Sequence, residues 1–178
     1  MDNRELLLNT ALELFHAKGY DAVGVQEIVD RAGVTKPTLY YYFGSKLGLL
    51  KSLLESQYSI LEEKITEASR TPGNLPTVLY QVARVFFDFA ASHEKFYLFM
   101  LALLYSGREN EAFQTVSPLI ERHYQLIVGI FEHFSGELGN MRGRQRLFAV
   151  GFTGVLNHHI MMVSYGPVSY THLTLPTT

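Results

Sequence analysis

Val25-Gln-Glu-Ile-Val-Asp-Arg-Ala-Gly-Val-Thr-Lys-Pro-Thr-Leu-Tyr-Tyr-Tyr-Phe43 is the stretch that decides the fold. It reads as two short helices joined by a tight turn, near residues 25–32 and 36–42. Ile28, Val29 and Ala32 give the first helix an apolar side. Gly33 stands where the backbone must turn left-handed to end that helix, a conformation that costs glycine little. Val34 plugs the core between the two helices. Thr35 is placed as N-cap, and Pro37 falls in the first turn, where its missing N–H does no harm. Leu39 and Phe43, four residues apart, anchor the second helix.

That leaves Lys36, Thr38, Tyr40, Tyr41 and Tyr42 for the outer face of a helix too short to persist alone. At about 100° per residue three consecutive rings cannot all point inward. A face with one cation, hydroxyls and flat rings suits the major groove: lysine for guanine or phosphate, threonine for a thymine methyl, tyrosine hydroxyls for phosphates. Gly44-Ser45-Lys46 follows, with Ser45 as N-cap of a long helix; the amides there and Lys46 read as a phosphate clamp.

Outward from this stretch, proline and glycine divide the chain into helical pieces. An amphipathic helix over about 3–18, carrying Leu7, Ala11, Leu14 and Phe15, stops at Gly19. The long helix after Ser45 runs towards Arg70, and Thr71-Pro-Gly-Asn-Leu-Pro76 is a break. Further helices are predicted near 77–92, 94–105, 111–134 and 141–164, with Pro118 expected to kink or split the third of these. No internal repeat emerges. The fold class is all-α, with an N-terminal three-helix helix-turn-helix unit followed by a C-terminal helical domain. The expected division is 1–50, 51–167 and a tail over 168–178. That tail holds four threonines and no acidic or basic residue, and it reads as non-native or disordered.

Composition bounds the function. The chain has 178 residues, 47% hydrophobic and 18% charged, enough for a packed core. A net charge of −2 argues against binding nucleic acid by bulk charge, so any DNA contact is expected to be local. Residues 1–46 carry five Lys/Arg against six Asp/Glu, which predicts modest non-specific affinity and reliance on a dimer. With no cysteine, a disulfide scaffold, a thiolate zinc site and cysteine catalysis are excluded. Apolar stretches are short or interrupted and the N-terminus lacks a basic-then-apolar pattern, so the expectation is a cytoplasmic protein with no membrane partner.

The pattern Phe15-x-x-x-Gly19-Tyr20, then Ile28-Val29-x-x-Ala32-Gly33-Val34-Thr35, then Thr38-Leu39-Tyr40-Tyr41-Tyr42-Phe43-x-Ser45-Lys46 resembles the DNA-binding domain of TetR/AcrR-type transcriptional repressors. The resemblance covers about residues 4–52. It implies a double-stranded operator as partner, a small-molecule effector and a homodimer made through the last two helices. Thr35, Lys36, Thr38, Tyr40, Tyr41 and Lys46 match the family's DNA-contacting positions, and Gln26 matches a position that touches the DNA backbone. Gly24, where a Ser or Thr cap is usual, Pro37, where glycine or alanine is common, and Tyr42, where histidine is common, depart from the pattern and bear on the operator sequence.

In the C-terminal half the candidates for an apolar ligand cavity are Phe86, Phe89, Phe99, Met100, Leu103, Tyr124, Ile127 and Met161. On the last helix Phe148, Gly151, Phe152, Val155 and His159 are the candidate dimer contacts. His158 and His159 are adjacent rather than four apart, so no metal site is expected, and no cofactor. Neither a Gly-rich phosphate loop nor a Ser/His/Asp pattern appears, so no enzyme is expected. Two other classes stand beside the regulator: a helical ligand-binding module with a merely structural helix-turn-helix, told apart by indifference to DNA, and a bundle enzyme, which would need clustered titratable groups.

Overall fold

A computed structural model describes residues 2–137, 139 and 142–165, and among these every regular element is helical. In order they are α1 (Asn3–Lys18), α2 (Val25–Ala32), α3 (Lys36–Phe43), α4 (Lys46–Ser69), α5 (Leu75–Ser92), α6 (Glu94–Leu104), α7 (Glu111–His133) and α8 (Gln145–Ser164). The expected tail over 168–178 lies outside the described residues.

Side chains at the helix starts supply the caps that orphan amides need. Asp2 accepts from the Arg4 amide, Ser45 from Gly48, Asn74 from Thr77 and Asn110 from Ala112. The Asn74 cap explains why α5 starts at Leu75 rather than near 77: Pro76 falls in its first turn, where no N–H is missed. α8 starts at Gln145 instead of near 141, because Arg142 (φ 50°) and Gly143 (φ 73°) adopt left-handed backbone just before it. Pro118 does not split α7, which runs unbroken from Glu111 to His133. The carbonyl that Pro118 leaves unpaired, on Gln114, lies on the exposed side, and the Ser117 hydroxyl donates to it at 3.4 Å.

α1, α2 and α3 close around Leu7, Ala11, Ile28 and Leu39, all fully buried. α4 is shared between the two halves of the chain, so the expected boundary at residue 50 falls inside it. Its first turns carry Leu49 and Leu50 against α1 and α3, and its later turns carry Tyr58, Leu61 and Ile65 against α5 and α7. Each such buried side chain contributes roughly 1.5–3 kcal/mol.

The halves also meet across α1 and α6. Phe15 stacks on Phe99 with centroids 5.7 Å apart, and Lys95 pairs with Glu13. At the start of α7 the Tyr20 hydroxyl donates to Glu111 at 2.7 Å and the Asn110 amide to Asp21 at 2.7 Å.

Candidate nucleic-acid interface and effector cavity

The turn between α2 and α3 is built from backbone bonds that its sequence permits. Gly33 has φ 66° and ψ 29°; its amide donates to Asp30 O at 3.2 Å, and the Val34 amide donates to Val29 O at 3.0 Å. This is a Schellman closure, and it needs the left-handed residue at position 33. Val34 packs half-buried against the core. Thr35 occupies the N-cap of α3 without making the expected side-chain cap. Its hydroxyl lies 2.9 Å from that of Thr38, while its carbonyl takes the amides of Thr38 and Leu39.

Leu39 and Phe43 hold the rear of α3 in the core. On the other side Tyr41 is 83% exposed and Tyr40 47%, with Lys36 exposed and Thr38 half-buried beside them. Tyr42 is turned aside: its ring meets Tyr41 edge-on at 5.1 Å and its hydroxyl donates to Asp2 at 3.4 Å. Gln26, on the exposed side of α2, donates to Asp30 at 2.6 Å.

Lys46 is not a free surface cation. Its ammonium donates to the carbonyls of Tyr20 and Val23, both at 3.0 Å, and sits 4.0 Å from the centroid of the Tyr20 ring. It ties the start of α4 to the α1–α2 loop. Gly48, which carries no signal in the sequence reading, has a strict steric role. A Cβ there would collide with the carbonyl oxygen of Phe43 and lie 3.1 Å from its carbonyl carbon, so α3 and α4 can meet this closely only over glycine.

A cavity of about 340 Å³ opens between α4, α5, α6, α7 and α8. Of the eight candidate ligand residues it is lined by Phe86, Met100 and Tyr124. Phe89, Phe99, Leu103, Ile127 and Met161 do not line it. Phe89 stacks on His93 at 4.3 Å, Phe99 and Leu103 face the α1 side, Ile127 is packed in the core and Met161 lies against its edge. The residues that sequence reasoning missed include Tyr58, Tyr97, His123, Thr153 and Asn157.

Tyr97 donates to Asn157 at 2.6 Å, Thr153 to Ala149 O at 2.9 Å and Tyr124 to Arg146 O at 2.9 Å. His123 Nδ1 is buried without a partner, and burial pulls the imidazole down to about 4, so the ring is neutral near pH 7. Burial also raises the phenols of Tyr58 and Tyr97 above their ordinary value. Among the described residues no cluster of His, Asp and Glu is arranged to hold a metal ion.

α8 leaves much of its apolar surface open. Val155 is 69% exposed and Phe148 48%, with Gly151 and His159 beside them on successive turns, while Ala149, Leu156 and Ile160 face the core. Phe152 is half-buried against Phe131, with centroids 6.3 Å apart. Among the described residues, no atom outside the helix's own nearby backbone lies within 4 Å of where a Cβ would stand at Gly151 or Gly154. Leu147, Val150 and Val163 extend the exposed apolar surface beyond the residues picked from sequence. By length and composition α8 is apolar enough to cross a membrane, with mean hydropathy 1.3, whereas the sequence reading expects no such helix.

A short helix fixed from behind, with an exposed polar and aromatic front, defines a helix-turn-helix DNA-binding protein. Comparison with known proteins takes this further, and the chain belongs to the tetR family of bacterial regulatory proteins, whose model matches residues 7–53. It is 32% identical over 154 residues to the HTH-type transcriptional activator FasR of Mycolicibacterium smegmatis, covering 86% of this chain and 68% of that protein. It is 48% identical over 50 residues to the HTH-type transcriptional repressor BdcR of Escherichia coli, covering 28% of this chain and 25% of that protein.

Among solved structures, FadR of Bacillus subtilis in complex with stearoyl-CoA aligns with TM-score 0.77 at 20% identity, over 90% of this chain and 87% of that one. The TetR family transcriptional regulator PfmR of Thermus thermophilus aligns with TM-score 0.73 at 22% identity, over 90% and 86%. At these identities the two structures speak for the fold. The protein is a transcriptional regulator that binds DNA through its helix-turn-helix.

Proposed function

We propose that a homodimer of this chain sets α3 of each copy into successive major grooves of an inverted-repeat operator and represses transcription there, until a small ligand in the cavity favours a spacing that no longer fits. The observation that carries this reading is the front of α3, where Tyr41 is 83% exposed beside Lys36, Thr38 and Tyr40 while Leu39 and Phe43 clamp the rear. In it Thr35, Lys36, Thr38, Tyr40 and Tyr41 meet the DNA, Gln26 reaches the backbone, and Lys46 holds the loop below and offers its remaining N–H to a phosphate.

Dimerisation runs through the open side of α8, with Phe148, Gly151, Val155 and His159 at its centre and Phe152 at its rim. The surface also has the hydropathy for a bilayer, but the inner side of the same helix is committed to the core through Leu156 and Ile160 and to Tyr97 through Asn157. A second copy therefore suits it better than lipid, and the protein acts in the cytoplasm without catalysing a reaction. The division of labour falls within α4: residues before about 50 read DNA, those beyond it hold ligand and partner.

Selection of bound duplexes from a random pool at physiological salt tests this reading. Enrichment of an inverted repeat supports it, and no enrichment from a folded sample overturns it. Because FasR is named an activator, a second reading keeps the same dimer and raises transcription from an upstream operator. A reporter carrying the selected repeat over or upstream of its promoter separates the two.

A further inference from the structure

We propose that the cavity is built for a neutral amphipathic molecule, with an uncharged oxygen (alcohol, ketone or ester) set against His123, Tyr58 and Asn157 and a short apolar chain filling the rest. This names the ligand class for the ligand-responsive reading above and rests on it.

The polar groups of the cavity wall fall into two sets. The hydroxyls of Tyr97, Tyr124 and Thr153 donate to protein acceptors, and Glu121 accepts from the Gln125 amide. The second set is unclaimed. His123 Nδ1 is buried with no partner. Among the described residues no hydrogen bond is made by the Tyr58 hydroxyl either, or by the amide nitrogen of Asn157, whose oxygen already receives Tyr97. Tyr58 and Phe86 meet the His123 ring edge-on at 6.2 and 5.4 Å, so the imidazole is held in place by aromatic walls. A buried polar group without a partner costs stability that a ligand's hydrogen bond returns.

Charge then narrows the class. None of the lining residues is Lys or Arg, and the one carboxylate among them, Glu121, stands exposed at the mouth. Behind His123 lies Glu62, already bound by Arg122 at 2.8 and 3.0 Å. A carboxylate or phosphate brought inside would therefore be buried with no cation in the lining to pair with, which strongly disfavours it. An ammonium would lose its hydration without gaining a buried counter-charge, because Glu62 is held by Arg122 and Glu121 is exposed and accepts from Gln125. A neutral oxygen needs only the unclaimed donors and acceptors. The 340 Å³ volume holds about eleven groups the size of a water, at ~30 Å³ each, so an eight-carbon chain with one oxygen fits.

Calorimetric titration of the full chain near neutral pH with 1-octanol, octanoate and octylamine tests this, since the three differ only in the head. The expected result is 1-octanol binding about tenfold more tightly than either ion. Tyr58→Phe and His123→Phe should each narrow that gap about threefold, the worth of one neutral hydrogen bond. Octanoate or octylamine binding as tightly as octanol overturns the proposal, as does binding of none of the three, or both variants keeping the gap. Should His123→Phe fail to fold, the imidazole nitrogen resonances of the unaltered protein decide the same point: they shift on saturation with octanol, and unchanged resonances overturn the role of His123. A chain that selects an inverted repeat but shows no preference for octanol loses the ligand class alone. A chain that selects no duplex loses the regulator reading whatever the calorimetry gives.

Discussion

Gly48→Ala separates two physical effects of opposite sign. Gly48 lies in the first turn of α4, and its amide is capped by Ser45 at 2.9 Å. Helix propensity alone says that alanine there stabilises by about 0.8–1.0 kcal/mol. The structure says otherwise, because the new methyl meets the Phe43 carbonyl oxygen and lies 3.1 Å from the carbonyl carbon. Both atoms are backbone, so no rotamer change relieves the contact. Either the last turn of α3 lifts off α4 or the Ser45 cap opens. Overpacking of this kind costs about 1–3 kcal/mol, and losing the cap about 1 more.

The net expectation is a loss of about 1–3 kcal/mol, together with weaker operator binding because α3 is displaced. Gly129→Ala is the matched control: it lies inside α7, its Cβ would meet nothing within 4 Å among the described residues, and propensity should dominate there with a gain of about 0.5–1 kcal/mol. Urea unfolding followed by circular dichroism reads both. A Gly48→Ala chain at least as stable as the parent, moving the same way as Gly129→Ala, would refute the steric argument.

Other substitutions probe the remaining parts. Tyr41→Ala should leave stability within about 0.5 kcal/mol and weaken operator binding about tenfold or more, as anisotropy of a labelled duplex would show. Lys46→Ala should weaken binding as well, but also cost about 1–2 kcal/mol in urea unfolding, because the carbonyls of Tyr20 and Val23 lose a charged donor. The parent chain is expected to sediment as a dimer, and Val155→Glu, on the open side of α8, to sediment as a monomer that binds only half-sites; a variant still dimeric would place the interface elsewhere. His123 makes stability depend on pH. Its folded value of about 4 lies below the ordinary 6.5, so the unfolded chain takes up the proton first. Stability from this group is complete above 6.5 and falls as pH drops towards 4, by about 3 kcal/mol in all. His123→Phe, if folded, should flatten that slope in unfolding measured across the interval.

Local signals are readable from sequence and distant ones are not. Gly33 and the Leu39–Phe43 pair act within one turn of chain, and the helix-turn-helix follows from them. Lys46 reads from sequence as part of a phosphate clamp, and its hold on the Tyr20 and Val23 carbonyls is not legible there because they come from another loop. Gly48 carries no local mark, since its role lies in the approach of two helices. In the cavity, periodicity tells which residues face inward but not which inner neighbour they face. Phe99 therefore goes to α1, and Phe89 to His93, while Phe86, Met100 and Tyr124 meet at the cavity. His123 does leave a trace: it interrupts the apolar register of Val116, Ile120 and Ile127 on α7, where a polar residue calls for an explanation.

Amide hydrogen exchange on the full chain, with and without the selected inverted repeat, tests most directly that α3 is the element reading DNA. The account predicts new protection concentrated in residues 35–46, with a lesser change at Gln26 on α2. Protection confined to other segments, with residues 35–46 exchanging as in the free protein, would contradict it.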